Sequence, residues 1–308
     1  MTTYQYLFGP VSSRRLGLSL GISPIPKKAC NYSCVYCQLG PTRTMKRHRE
    51  MYFPVADILA ELKAYLASGL PFDVVSIVGE GEPTLYLGLR KLIRGLKSLT
   101  NKPTVVITNG GLLAQEEVKE ALSEADIVMP SLDAYDEASF KKINRPLGTI
   151  KFQTMYQGLV DFSKTYQGEL WLEIMLVKGL NDDQAALRRF KELLEPINYS
   201  RLFINSPVRG TAESWVEQVD GESLLLAEKT LGGTSIAGPL ASDFYSDIED
   251  DYEAILSIIK RHPMNQHEVT SFLESRGHEE REDIFQKLQQ DSEVEVIDRK
   301  GLKTYRVV

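Results

Sequence analysis

Short apolar runs alternate along the chain with stretches in which apolar residues recur three and four positions apart. A continuous apolar run of four to eight residues suits a strand buried on both faces, and the longer period suits a helix with one buried stripe. Six runs read as strands: LGLSLGI at 16–22, DVVSIVG at 73–79, TVVITN at 104–109, ADIVMPS at 125–131, ELWLEIMLV at 169–177 and RLFINS at 201–206. Helical stretches lie between them, such as VADILAELKAYLASG at 55–69, which closes on a glycine. This alternation predicts an α/β fold with a parallel sheet. Periodicity leaves a doubly wound sheet and a barrel equally open.

The character changes after residue 220. The acidic, glycine-bearing stretch GGTSIAGPLASDFYSDIEDD, at 232–251, marks 221–250 as a linker or extended wrap. Residues 251–308 follow with three short helical patterns and two alternating strands about an Arg-Lys-Gly turn, the element order of a winged helix. The expected organisation is a core at 1–220, a connector at 221–250 and a winged-helix domain at 251–308.

With 308 residues, 43% hydrophobic and 25% charged, the chain can bury a sizeable core. Its formal charge of -6 gives no overall footprint for nucleic acid. The third C-terminal helical pattern, EEREDIFQKLQQD at 279–291, sets five acids against Arg281 and Lys287, which argues against groove insertion into duplex DNA. The hairpin carries Arg299, Lys300, Lys303 and Arg306, so the C-terminal unit is read as contacting RNA or a protein partner. No apolar run is long enough for a membrane span, and the start lacks the pattern of a signal peptide, so the expected location is cytoplasmic.

All three cysteines fall within CNYSCVYCQLG, at 30–40. Cys30, Cys34 and Cys37 are spaced C-x3-C-x2-C on a stretch where Pro24, Pro26, Asn31 and Gly40 break regular structure, so a loop can wrap them round one inorganic core. Zinc usually takes four ligands, and His48, His262, His267 and His278 offer no obvious fourth. A cubane iron-sulfur cluster held by three thiolates leaves one iron open.

That motif, with the aromatic Tyr36 before its last cysteine, resembles the signature of the radical S-adenosylmethionine (SAM) enzymes. The resemblance implies a partial (β/α)6 TIM-like barrel, a single 4Fe-4S cluster on Cys30, Cys34 and Cys37, and SAM chelating the open iron. It further implies reductive cleavage of SAM to a 5'-deoxyadenosyl radical, hydrogen abstraction from a substrate (an RNA base, peptide or metabolite), and a reductant such as flavodoxin or ferredoxin. The stretch FGPVSSRRLGLSLGISPIPKKACNYSCVYCQLG resembles, within that family, the iron-sulfur oxidoreductases related to wyosine synthases, although the further cysteine triad of the archaeal enzymes is missing here. On this resemblance the SAM contacts are Tyr36; Gly79, Glu80, Gly81 and Glu82 of GEGEP; Thr108 and Asn109 of TNGG; and Ser131 and Asp133 of SLDA.

Three weaker features complete the reading. Lys178, at the end of the fifth strand, is the candidate catalytic residue, able to form a Schiff base or a salt bridge at the rim. Arg43, Lys46, Arg47, His48 and Arg49 form a basic run that can attract an anion or lie on a solvated face, and Arg14, Arg15 and Arg145 are further candidate anion contacts. The alternative function is a metal-binding regulator acting through its winged helix.

Overall fold

The computed structural model describes residues 4–236, 244, 246, 248–278, 281–299 and 301–307. Eight strands form one sheet in sequence order: β1 (Leu7–Ser13), β2 (Gly17–Ile22), β3 (Val74–Ile77), β4 (Thr104–Thr108), β5 (Ile127–Pro130), β6 (Glu169–Met175), β7 (Arg201–Asn205) and β8 (Thr234–Ser235). β1 pairs antiparallel with β2, and every later neighbour is parallel. Parallel neighbours need crossovers, supplied here by α1 (Val55–Ala67), α2 (Leu89–Leu99), α3 (Glu116–Leu122), α4 (Glu137–Ile143), α5 (Phe152–Thr165), α6 (Gln184–Leu194) and α7 (Gly221–Leu231). The result is an α/β fold with a parallel sheet, consistent with a partial barrel. No pairing joins β1 to β8 among the described residues, so the sheet has two edges.

The helices pack outside. Ile58 and Leu62 of α1, Leu92 and Leu96 of α2 and Phe190 of α6 bury fully in one large core beneath the sheet. The opposite face closes on a smaller set, including Leu16, Val74, Val105, Met129, Trp171 and Phe203.

The six expected strands all form, and two more join them. β1 is interrupted in sequence by Gly9 and Pro10, and its register shifts between Phe8 and Val11, so it carries no clean alternation. The expected connector at 221–250 opens instead on α7, whose Asp220 cap accepts from Ser223 N (2.9 Å) and whose Leu224, Ala227 and Leu231 form the buried stripe. Gly232, at φ 74°, ends the helix, and β8 then pairs with β7 at Phe203 and Ile204. Glycines at 221, 232 and 233 mark the two ends of a helix, not an extended chain. The rest of that connector lies largely outside the described residues.

The C-terminal elements are α8 (Asp251–Ile259), β9 (Met264–Asn265), α9 (Gln266–Ser275), α10 (Glu282–Gln290), β10 (Val294–Arg299) and β11 (Leu302–Val307). The strands make a separate antiparallel sheet in the order β10-β11-β9. Their core includes Ile255, Ile259, Phe272, Leu273, Leu288 and Tyr305, and it continues into the first sheet through Val11 and Phe8 of β1. Of the residues weighed for nucleic-acid contact, Glu279, Glu280 and Lys300 lie outside the described residues. No helix is long and apolar enough to cross a membrane among the residues described.

Candidate active site

The three thiols stand half-buried and unpaired on the loop after β2, facing one cavity of about 420 Å³ at the carboxyl ends of the parallel strands. Consecutive tight turns, Cys37 N to Cys34 O and Gly40 N to Cys37 O (both 3.1 Å), coil the loop on itself. Val35 N to Ile143 O (2.9 Å) and Lys46 N to Cys30 O (2.8 Å) pin it to the end of α4 and to the chain that leaves the loop. Lys28 enters the coil in the left-handed region, at φ 61°.

Every sulfur is met by a nitrogen donor. Cys30 accepts from Tyr32 N (3.4 Å) and Asn109 Nδ2 (3.7 Å), Cys34 from Asn144 Nδ2 (3.6 Å) and Cys37 from Lys28 Nζ (3.4 Å). Sulfur acts as acceptor in all four contacts, which is the role of a thiolate. Burial, aided by the negative charge of Glu82, pushes the Cys30 thiol up to about 12, and burial beside Asp133 raises Cys34 well above its usual range. Without cations in front of them these thiols keep their protons; iron would draw them off. Among the described residues, no three histidine, cysteine, aspartate or glutamate side chains close round a single ion. Three sulfurs on one loop, bordering one cavity and each met by a nitrogen donor, are a donor set that suits a cubane iron-sulfur cluster.

GEGEP follows β3 and is stitched to the cysteine loop by Lys28 N to Glu80 O (2.6 Å) and Glu82 N to Ala29 O (2.9 Å). A Cβ on Gly81 would sit 2.0 Å from Ala29 O, so only glycine allows this approach. Glu82, 1% exposed, accepts from Thr84 N (2.9 Å), Thr108 Oγ1 (2.6 Å), Asn109 N (2.7 Å) and Thr84 Oγ1 (2.5 Å). Its carboxylate is fully occupied in joining GEGEP to TNGG. Glu80 instead meets Arg261 of the C-terminal unit at 3.5 Å.

Asp133 is also an internal anchor. It accepts from Tyr36 Oη, from Asn144 Nδ2 (2.8 Å) and from Met175 N (2.9 Å), is 3% exposed, and is pushed up to about 6 by burial against these stabilising bonds. Tyr36, Gly79, Glu80, Gly81, Glu82, Thr108, Asn109 and Ser131 all border the cavity with the cysteines; Asp133 lies behind that wall.

Other expectations are corrected. Lys178 is exposed, donates its backbone N–H to Glu217 O (3.2 Å) and does not border the cavity. Arg145 pairs with Glu213 away from the cavity. Within the basic run, Arg49 is structural, donating to Thr84 O (2.9 Å) and Tyr86 O (3.2 Å), while Arg43, Arg47 and His48 are exposed. The cavity wall also contains Lys28, Glu173, Arg261 and His262, which the sequence reading did not assign to it, together with Asn205 and Arg209 of NSPVRG, where the sixth expected strand ends. Lys28, beside the cysteine motif, and Asn205 and Arg209, at a strand's carboxyl end, carried a local signal.

Comparison with known proteins agrees with this architecture. Residues 25–190 match the family described as the Radical SAM superfamily. A UPF0026 protein of Helicobacter pylori is 34% identical over 275 residues, covering 88% of this chain and 89% of that one. A UPF0026 protein of Methanocaldococcus jannaschii is 32% identical, covering 86% and 85%. A protein of Brachyspira hyodysenteriae named GTPase Obg is 40% identical over 223 residues, but this chain spans only 33% of its length. Among solved structures, a radical SAM methyltransferase from Sphaerobacter thermophilus shares the fold with a TM-score of 0.55 at 15% identity, covering 71% of this chain and 66% of that one. The SAM-bound SuiB of Streptococcus suis does so with the same TM-score at 16% identity, covering 73% and 51%. With three thiols at the spacing C-x3-C-x2-C on the matched segment, the chain belongs to the radical SAM superfamily of enzymes and, within it, to the UPF0026 proteins.

Proposed function

We propose that Cys30, Cys34 and Cys37 hold a single 4Fe-4S cluster and that SAM binds against it, between the cysteine loop and the ends of β3, β4 and β5. Radical SAM enzymes use these two cofactors. When bound, they supply a 5'-deoxyadenosyl radical, formed by one-electron cleavage of SAM, that removes hydrogen from a substrate. The observation that carries the reading is the shared cavity, bordered by all three thiols and by residues of GEGEP, TNGG and SLDA.

The chain's own groups prepare this site. Lys28, Asn109, Asn144 and the Tyr32 amide donate to sulfur, which stabilises thiolate charge. Glu82 fixes the GEGEP and TNGG loops relative to each other, leaving backbone groups at 79–81 to meet the methionine end of SAM. Ser131 and Asn109 offer short polar groups for the rest of the cofactor. Asp133 and Tyr36 form the support behind them. A reductant such as flavodoxin or ferredoxin would supply the electron, and a cytoplasmic setting suits the reduced cluster. The C-terminal unit, with three helices and a hairpin, is proposed as a winged helix that serves the barrel and not duplex DNA.

The test is anaerobic reconstitution. Protein should hold about four irons per chain and release 5'-deoxyadenosine from SAM on reduction, and Cys34→Ala should lose both. A Cys34→Ala protein with full iron content and normal cleavage would end this assignment, and loading near eight irons, about two cubanes, would contradict the single cluster.

A further inference from the structure

In Gly79-Glu80-Gly81 a single side chain stands between two glycines, so Glu80 alone can anchor that piece of backbone from its side. The backbone of Glu80 is itself shared. Its N–H donates to Ser23 Oγ (3.3 Å), just past β2, and its carbonyl accepts from Lys28 N (2.6 Å). Lys28 in turn places its Nζ at Cys37 Sγ (3.4 Å). Whatever fixes Glu80 therefore fixes the start of GEGEP and, through Lys28, one end of the cysteine loop.

The carboxylate of Glu80 is held from the other end of the chain. Arg261 lies two residues beyond α8, whose Ile255, Ile258 and Ile259 are buried in the C-terminal core. Arg261 Nε stands 3.5 Å from Glu80 Oε2, with the two side chains 9% and 10% exposed. That buried Nε has no hydrogen-bond partner among the described residues, and Glu80 is the carboxylate paired with it. The rest of the guanidinium donates to Leu7 O (3.4 Å) and to Gln5 O, at the entry to β1. Glu61 of α1 fixes the same entry, accepting from Tyr6 N (2.7 Å) and Gln5 N. Burial raises the Glu80 carboxyl, and the charge of Arg261 is the largest influence opposing it. Arg261 and Glu80 both border the cavity. Other contacts hold the C-terminal unit against the barrel: Gly210 N to Thr304 Oγ1 (3.3 Å), Lys27 Nζ to Val307 O (2.5 Å) and Arg306 to Gln38 O (3.2 Å).

We propose that Arg261 is a positioning residue for SAM: through Glu80 it fixes the backbone at 79–81 that receives the methionine end of the cofactor, so the C-terminal unit sets the barrel's affinity for SAM. This inference rests on the radical SAM reading of the same cavity, and it adds a residue well outside the segment 25–190 that matches the family. A buried ion pair is strongly kept once formed, because loss of either partner leaves the other charge uncompensated away from water. Glycines on both sides of Glu80 leave the loop free to move when that anchor is lost. If the freed loop keeps the receiving arrangement about a tenth of the time, SAM affinity falls about tenfold.

The experiment uses full-length, anaerobically reconstituted protein and two readouts: amide hydrogen exchange over 79–82 without SAM, by mass spectrometry, and SAM affinity, by calorimetry. Arg261→Gln should speed exchange at 79–82 severalfold and weaken SAM binding by about tenfold, with iron content near that of wild type. Arg261→Lys keeps the charge but not the fork that reaches Gln5 and Leu7, and should restore part of both. Glu80→Gln should act as Arg261→Gln does, and the double variant should be no worse than either single one, because both remove the same interaction. Arg276→Gln is the control for general loosening. It removes contacts to Asp251, Ser246 O (3.0 Å) and Ile248 O (2.7 Å) inside the C-terminal unit, and should lower the denaturation midpoint while leaving exchange at 79–82 and SAM affinity near wild type. Exchange and SAM affinity unchanged in Arg261→Gln, full additivity in the double variant, or equal loss of SAM affinity in Arg276→Gln would each overturn the inference. Wild type scores the reading beneath it. If wild type neither binds SAM nor releases 5'-deoxyadenosine from it, the radical SAM reading falls and takes this inference with it; if it does both and the variants do not follow, only the inference falls.

Discussion

Glu80 and Glu82 are two residues apart in one motif and do opposite things. Glu82 turns inward to four donors, and burial raises its carboxyl despite the bonds from Thr108, Thr84 and Asn109 that lower it. Glu80 turns towards Arg261. A strand end followed by Gly-Glu-Gly-Glu-Pro is legible in sequence, but which glutamate joins the two loops and which meets the C-terminal unit is not, because glycine at 81 frees the backbone between them. The geometry leads to a specific expectation for Glu82→Gln. The amide brings two N–H groups to a place where both backbone neighbours only donate, so either Asn109 N or Thr84 N loses its acceptor. The cost is about 1–3 kcal/mol, read as a lower midpoint in chemical denaturation of the reconstituted protein. A variant as stable as wild type would show that the carboxylate is not the joint between the two loops.

At the level of elements, the site is made by loops locked to one another. The cysteine loop has little regular structure, yet its backbone is held by α4 at Val35, by GEGEP at Lys28 and Ala29, and by its own return at Lys46. Prolines and glycines in the sequence announce a loop; they do not announce its partners. Gly81→Ala tests the locking directly. Its Cβ would fall 2.0 Å from the carbonyl of Ala29, which is backbone and cannot rotate away, so Ala29 and the adjacent Cys30 must shift. Iron retention after reconstitution should fall at least severalfold, while far-ultraviolet circular dichroism stays near that of wild type, since both helices and sheet are untouched. Gly148→Ala is the control: like Gly81 it is not at positive φ, and no atom lies within 4 Å of the added methyl, so it adds the methyl without the collision. Equal iron loss in both variants would show that the collision with Ala29 is not the cause.

At the scale of the molecule, the C-terminal unit is part of the enzyme's wall. Arg306, counted from sequence among basic groups for RNA, is 8% exposed, pairs with Glu295 (2.6 Å) and faces Gln38, so it serves the interface with the cysteine loop. His262 makes this interface sensitive to acid. Its folded-state value is depressed, so below the ordinary histidine value of about 6.5 the unfolded chain binds a proton that the folded chain refuses. The stability contribution is present above that pH and is lost as pH falls through it towards the folded value. Wild type should therefore lose more stability than His262→Gln between about pH 7.5 and about pH 5.5, measured by denaturant midpoints. Parallel losses in both proteins would mean that His262 does not resist protonation in the fold.

The sequence by itself determined the elements and the chemistry that depends on local spacing. Apolar runs such as TVVIT and ELWLEIM can be buried on both faces only in a covered parallel sheet, and three thiols within eight positions can converge without help from distant chain. Tertiary structure alone decided the rest. The arrival of Arg209 and His262 at the cavity that the cysteines border, the donors Asn144 and Lys28 at sulfur, and the outward position of Lys178 depend on contacts between residues far apart in the chain or on which way one turn faces. β8 and α7 escaped because two strand residues and three glycines carry too little period to be told from a connector, until pairing with β7 supplies the missing hydrogen bonds. Local pattern fixes what a segment can become, and the burial of its polar groups against particular neighbours fixes what it does.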